Sequence, residues 1–253
     1  MIRRLVLTAG IALAVSTGCS RDPETAGPTE PPFDDSPIVE HTDTAPPAVP
    51  QATPAAAEAA PEGDDNLFYA NDFDAEAVGP VAGDAVLVLD GDWRVVAAPD
   101  GIGKYLELPG DPIREMGLLL GPDVPGAISI TVRAQASAQG RAKPRFGVGL
   151  NGAGGYKLRV VPARKIVELT KGEEVVGTVP FVWESDRWLR LSLTMRPTAD
   201  GCELVGLATT AAGEARISWS DTEVPFGGQA ALYATPYAST PIRFDDVRIT
   251  RPE

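Results

Sequence analysis

The chain has 253 residues and a formal net charge of −13, set by 35 acidic and 22 basic side chains, with a single histidine. A chain this acidic repels a polyanion, so nucleic acid is excluded as a partner. The histidine, His41, lies in a proline-rich stretch, so the rest of the chain has no Ser-His or Cys-His nucleophile pair and no usual zinc site.

In chain order, the first element is Arg3-Arg4, then an apolar run from Leu5 to Val15, then Ser16-Thr17-Gly18-Cys19-Ser20. The run is too short for a permanent membrane helix, which needs about 20 residues, so it reads as a cleaved export signal. The order of basic start, short apolar core, small residues and cysteine resembles a bacterial lipoprotein signal peptide with its lipobox, although Ser16 stands where leucine is usual. The resemblance implies that residues 1–18 are removed and that Cys19 becomes the lipid-bearing first residue, anchoring the chain to a membrane. Ser20 after that cysteine resembles outer-membrane sorting, which places the protein in the cell envelope. The alternative is a plain secretory signal with an incidental cysteine.

Residues 19–66 form the second segment. Between Ser20 and Asn66 there are eleven acids, one arginine, ten prolines and one aromatic residue, Phe33. Such a composition cannot bury enough apolar surface to offset its ordering entropy and predicts a disordered, self-repelling tether. Its 47 residues (20 to 66) reach about 140 Å at the ~3.1 Å rise of polyproline, enough to hold a domain off a membrane. With Cys19 lipidated, Cys202 has no partner for an intramolecular disulfide and is expected as a small buried hydrophobe.

Residues 67–253 read as one domain of many short strands. Period-two alternation is clearest at Ala127–Ala136 (Ile128, Ile130, Val132 and Ala134 on one face), Arg145–Asn151 (Phe146, Val148, Leu150) and Trp188–Arg196 (Leu189, Leu191, Leu193, Met195). Further strands are expected at 85–89, 105–108, 116–120, 156–161, 165–170, 175–181, 203–209, 216–220, 229–234 and 242–250. Turns fall at Thr170-Lys171-Gly172, Ala199-Asp200-Gly201 and Ala212-Gly213-Glu214. Glycine, proline and aspartate punctuate the strands at intervals near ten residues, the pattern of an all-β antiparallel sandwich with few or no helices. Gly152-Ala153-Gly154-Gly155 joins two strands and so reads as a hairpin, not a phosphate cradle.

Four segments then support a resemblance. Trp188-Leu189-Arg190-Leu191, Asp200-Gly201-Cys202-Glu203-Leu204, Pro225-Phe226-Gly227-Gly228-Gln229-Ala230-Ala231-Leu232-Tyr233 and Arg243-Phe244-Asp245-Asp246-Val247 occur in the order found in the concanavalin A-like (laminin-G-like) jelly rolls. The openings Asn71-Asp72-Phe73-Asp74 and Gly91-Asp92-Trp93 also fit. The resemblance implies a two-sheet jelly roll over roughly 67–251, a fold that hosts lectins, glycan-binding modules, glycosidases and lyases.

Three kinds of site are weighed. Family 16 glycosidases of this superfamily carry E-x-D-x-x-E or E-x-D-x-E on one strand, and no such spacing occurs here; two separate strands would have to supply the carboxylate pair. For a metal, Ile242 and Phe244 share one parity and Val247 and Ile249 the other, which predicts a β-bulge at Asp245-Asp246. By resemblance the last strand lies beside the first, bringing Asp72 and Asp74 to Asp245 and Asp246 as an oxygen set suited to Ca²⁺. The opposing expectation is solvated aspartates flanking core Phe73 and Phe244. For a ligand face, inward Phe146, Val148 and Leu150 leave Gly147 and Gly149 outward, where something approaches the backbone closely. Arg145, Asn151, Lys157, Arg159, Trp188 and Arg190 would then form a basic, partly aromatic groove for an anionic polysaccharide. The alternative is a solvated face with Trp188 in the core. Trp93, Trp183 and Trp219 are expected as core or turn-packing residues. The function expected is glycan binding without chemistry, against a glycoside hydrolase or polysaccharide lyase, and against a structural or protein-interaction module.

Overall fold

The computed structural model describes residues 65–110, 113–141, 143–223, 227–237 and 240–252. The expected signal peptide, Cys19, His41, nearly all of the tether, and Pro225 and Phe226 lie outside the described residues.

Sixteen strands follow one another: β1 (Leu67–Asn71), β2 (Gly79–Pro80), β3 (Val86–Asp90), β4 (Arg94–Ala97), β5 (Lys104–Leu108), β6 (Met116–Leu120), β7 (Ile128–Ala136) and β8 (Arg145–Leu150). Then come β9 (Tyr156–Val161), β10 (Ile166–Lys171), β11 (Glu174–Pro180), β12 (Leu189–Thr198), β13 (Gly201–Thr210), β14 (Gly213–Asp221), β15 (Ala230–Thr235) and β16 (Ile242–Thr250). They make two antiparallel sheets, and no helix occurs among the described residues. One has the order β14-β13-β12-β7-β16-β5-β4-β2, with β1 also on β16, and the other β11-β10-β9-β8-β15-β6-β3. The all-β jelly roll expected from the alternation is the fold observed. β1, β2 and β4 are additional to the expected strands; Pro80 is tolerated in β2 because that strand closes an edge, where a missing N–H breaks no ladder.

The core is built by the predicted faces. Ile128, Ile130, Val132 and Ala134 of β7 and Leu189, Leu191, Leu193 and Met195 of β12 meet Phe146, Val148 and Leu150 of β8 from the other sheet, all at 3 % exposure or less. Each such side chain removed from water contributes roughly 1.5–3 kcal/mol before entropy is counted. Trp93 is buried against Phe244, ring centroids 5.8 Å apart, and its indole N–H donates to the Asp90 carbonyl at 2.8 Å. Cys202 is buried and unpaired with sulfur.

One irregularity positions everything that follows. β16 pairs with β7 as Asp245↔Arg133 and then Arg248↔Thr131, three residues against two, which is the predicted bulge. Asp246 takes φ +50° there. Ahead of the bulge β16 pairs with β5 (Ile242↔Leu108 to Phe244↔Leu106), and after it with β1 (Asn71↔Val247 to Leu67↔Thr250). The neighbour of β16 changes at the bulge, and the gap between the two neighbours is open to solvent.

Candidate functional site

That gap is the head of a cleft of about 490 Å³ on the outward face of the nine-stranded sheet. Alternation dictates its floor. With Ala134 and Phe244 inward, Arg133 and Gln135 of β7 and Arg243 and Asp245 of β16 must point out, paired as Gln135↔Arg243 and Arg133↔Asp245. Tyr105 of β5 has the same outward parity, and its ring meets Trp188 edge-on, centroids 6.2 Å apart. The Arg133 guanidinium sits over the Trp188 ring at 4.8 Å and Arg243 over Tyr105 at 4.9 Å. Arg133 also reaches Asp245 at 3.5 Å and Asp246 at 3.2 Å, and Arg243 reaches Glu107 at 2.9 Å. Two aromatic rings thus lie beside fixed donors and acceptors. Burial lifts the Asp245 carboxyl above its ordinary range; the Asp246 amide and Arg133 pull it down, while the charges of Asp246 and Asp74 add to the rise.

The rim over Asp72 and Asp74 is held by side chains acting on backbone. The Asn71 Oδ1 accepts from the Phe73 N–H at 2.7 Å, and Asp72 Oδ1 from the Asp74 N–H at 3.1 Å. Phe73 adopts φ +61°, a rare conformation for a bulky residue, while its ring is fully buried. Asp74 then accepts from the Lys104 N–H at 2.7 Å, tying this turn to the start of β5.

Trp188 borders a second cleft, also about 490 Å³, between the turn ahead of β12 and the β13–β14 hairpin. Trp188 is therefore half-exposed between two concavities, not a core residue.

The structure brings Asp72, Asp74, Asp245 and Asp246 to one cleft, with Arg133 between the last two. Among the described residues, no three His, Cys, Asp or Glu side chains stand close enough to hold a metal ion. The Ca²⁺ expectation therefore has no formed carboxylate site among the described residues.

The six residues expected to share a basic groove are divided. Trp188 and Arg190 lie on the outward face of the nine-stranded sheet, where Arg190 is exposed opposite Arg133. Arg145, Lys157 and Arg159 lie on the outward face of the seven-stranded sheet, and Asn151 follows β8 at φ +65° with its side-chain amide buried and unpaired. Lys157 is 3 % exposed and bonded to Glu115; Arg159 meets Glu115 at 2.8 Å and Glu168 at 2.9 Å. Burial pushes Glu115 up, but Lys157 and Arg159 outweigh it and hold the carboxyl below its usual range. These cations are committed to internal partners. What approaches Gly149 so closely is the protein's own Tyr233 ring: a Cβ at Gly149 would stand 2.5 Å from Tyr233 Cε2. At Gly147 it is the backbone of Leu158.

Arg133, Tyr105 and Arg243 were not singled out from the sequence. The signal was present, since each has outward parity beside an inward core residue, but alternation does not say which outward residues share a face across strands. A second network, also absent from the sequence reading, ties Tyr156, whose hydroxyl donates to Asp221 at 2.6 Å, to Lys171, 2.7 Å from Asp221.

No protein-family model matches the chain, and no curated protein matches it. Solved structures do. A seed lectin of Lotus tetragonolobus shares 10 % identity over 69 % of this chain and 97 % of its own, with a TM-score of 0.51. Lectin II of Ulex europaeus shares 10 % over 73 % of this chain and 98 % of its own, TM-score 0.51. A Bacillus subtilis protein of unknown function with a galectin-like fold shares 12 % over 74 % and 96 %, TM-score 0.50. The described domain is a lectin- and galectin-like jelly roll. At these identities the likeness defines the fold.

Proposed function

We propose that this domain binds glycan without chemistry, in the cleft of Tyr105, Trp188, Arg133, Arg243 and Asp245, on a chain anchored to the bacterial envelope, at the outer membrane, through lipidated Cys19. The observation that supports binding there is one concavity that joins the Trp188 ring and the buried Tyr105 ring, each under an arginine, with the carboxylates those arginines pair with. Sugars present apolar C–H faces to aromatic rings and hydroxyls to paired donors and acceptors. The lectin names among the neighbours accord with this reading. The cleft holds five carboxylates (Asp72, Asp74, Asp100, Asp245, Asp246) against three cations (Lys104, Arg133, Arg243). That balance favours a neutral glycan over an anionic one.

The test is calorimetric titration with neutral oligosaccharides, with Trp188→Ala as the variant. Loss of at least about 1.4 kcal/mol, tenfold in affinity, with an unchanged melting point supports the site. Undiminished binding by Trp188→Ala overturns it.

Hydrolysis is the second reading, favoured by one observation: Asp245 is a carboxyl with a raised pKa in a cleft with other carboxylates. Arg133 against both Asp245 and Asp246 weighs against it, because a glycosidase acid must be free to reach the leaving oxygen. Release of reducing ends from a bound polysaccharide, abolished in Asp245→Asn, would establish hydrolysis. Absence of any glycan binding, with one envelope protein crosslinked, would establish an interaction module.

A further inference from the structure

We infer that the ligand is an internal stretch of a polymer, held by two adjacent subsites astride Trp188, the second one formed by Asp186, Arg187, Thr210 and Ala212. This inference rests on the glycan-binding reading above and adds the site and the ligand class: a chain of several neutral sugars, not a terminal residue.

The two clefts have equal volumes of about 490 Å³ and share Trp188 as a wall. On the first side, the Arg133 guanidinium covers a face of the indole at 4.8 Å and Tyr105 meets it edge-on. A sugar in that cleft therefore finds the ring already capped by a cation. Trp188 also lines the second cleft, whose other walls include the small side chains of Ala211 and Ala212 and the polar groups of Glu184, Asp186 and Arg187.

The dividing wall is fixed in place. The Asp186 N–H donates to the Ala136 carbonyl at 2.9 Å, and Gln135 Nε2 donates to the Asp186 carbonyl at 3.0 Å. The Asp186 carboxylate accepts from Ser137 and, at 2.7 Å, from Ser185, whose Oγ in turn accepts from the Ala138 N–H at 2.8 Å. Asp186 holds φ +62°, a conformation a non-glycine residue keeps only where its surroundings enforce it. The turn that carries Trp188 is thus bolted to the end of β7, whose Arg133 and Gln135 floor the first cleft. A wall this well anchored costs little further ordering when a ligand contacts both of its sides.

The experiment titrates the full chain with mono- to hexasaccharides of the laminari-, cello-, malto- and manno-series. The expected result is one series whose affinity rises about tenfold or more between the disaccharide and the tetrasaccharide. Ala212→Trp, at an exposed hairpin position, should remove that rise. Trp188→Ala should weaken every length. Affinity independent of chain length, or a length dependence untouched by Ala212→Trp, overturns the two-subsite inference while leaving glycan binding intact. Failure of every series to bind removes the parent reading and this inference with it.

Discussion

Gly149→Ala separates a glycine kept for the protein's own packing from one kept for a ligand. The added methyl would lie 2.5 Å from Tyr233 Cε2 and 3.0 Å from the Tyr156 carbonyl oxygen, both inside van der Waals contact. Tyr233 cannot easily retreat. It is 4 % exposed, its hydroxyl donates to the Gly152 carbonyl at 3.1 Å, the Lys157 ammonium lies 4.5 Å over its ring, and its other edge rests 3.2 Å from where a Cβ on Gly117 would be. Overpacking of this kind costs roughly 1–3 kcal/mol, and at about 2–4 °C per kcal/mol for a domain of this size the melting point should fall by roughly 2–12 °C. Calorimetric melts of the wild type, Gly149→Ala, Tyr233→Ala and the double variant close a cycle. With the ring gone, the methyl loses its nearest clash and keeps the Tyr156 carbonyl at 3.0 Å, so a coupling of roughly 1 kcal/mol or more is expected. Glycan affinity should not change, because Gly149 lies on the opposite sheet from the cleft. A neutral Gly149→Ala, or one that costs the same with and without Tyr233, refutes the packing account. Lost binding at an unchanged melting point would instead restore the glycine as a ligand contact.

Asp221 supplies a pH-dependent test. Burial raises its carboxyl, but Lys171 and Tyr156 outweigh burial, with help from the Glu223 amide, and the net shift is downward. Its stabilisation is therefore complete above the unfolded value near 4 and drains away as pH falls through the lower folded value. Asp221→Asn should cost roughly 1–3 kcal/mol at neutral pH, with the gap in melting point closing toward pH 3; a gap constant with pH would sink the assignment. Millimolar Ca²⁺ should leave the melting point unchanged, since Arg133 already stands at Asp245 and Asp246; a rise that Asp245→Ala abolishes would show that the aspartates bind the ion after all. Cys19→Ala should shift the protein from the membrane to the soluble fraction and remove an acyl mass from the mature N-terminus; continued membrane association with no acyl mass on the wild type would refute lipid anchoring.

What was legible in the sequence was what a single strand can tell. β7, β8 and β12 announce their inward faces, because one methylene pattern per strand is enough to choose a side. The bulge at Asp245-Asp246 was equally plain, since a change of parity within one strand has few other causes. Which strands sit side by side is a different kind of information. Lys157 and Arg159 shared outward parity with Arg190, but parity is counted within a strand, and these strands belong to different sheets. Nor could Lys157 and Arg159 be known to be spent. Their partner Glu115 is 42 positions away from Lys157, and only the sheet order, which sets the start of β6 across β15 and β8 from β9, brings them together. The paired glycines misled for a related reason: an outward Gly149 does require a close approach, but the approaching group was Tyr233, supplied by β15.

The cleft itself follows from the bulge. A regular β16 would have kept one neighbour along its whole length, and a continuous sheet face offers no concavity. The extra residue lets β5 flank Ile242–Phe244 and β1 flank Asn71↔Val247 onward, so the two strands part where Asp245 and Asp246 turn outward. Three of the five non-glycine residues with left-handed backbone among the described ones, Phe73, Asp186 and Asp246, stand around the two clefts. Each such residue costs of order 1–3 kcal/mol in isolation. Each is held by an identifiable device: full burial of the Phe73 ring, the serine and β7 bonds of Asp186, and the Arg133 ion pair of Asp246. Strain concentrated beside the two clefts is the reason for placing the proposed ligand on the outward surface of the nine-stranded sheet.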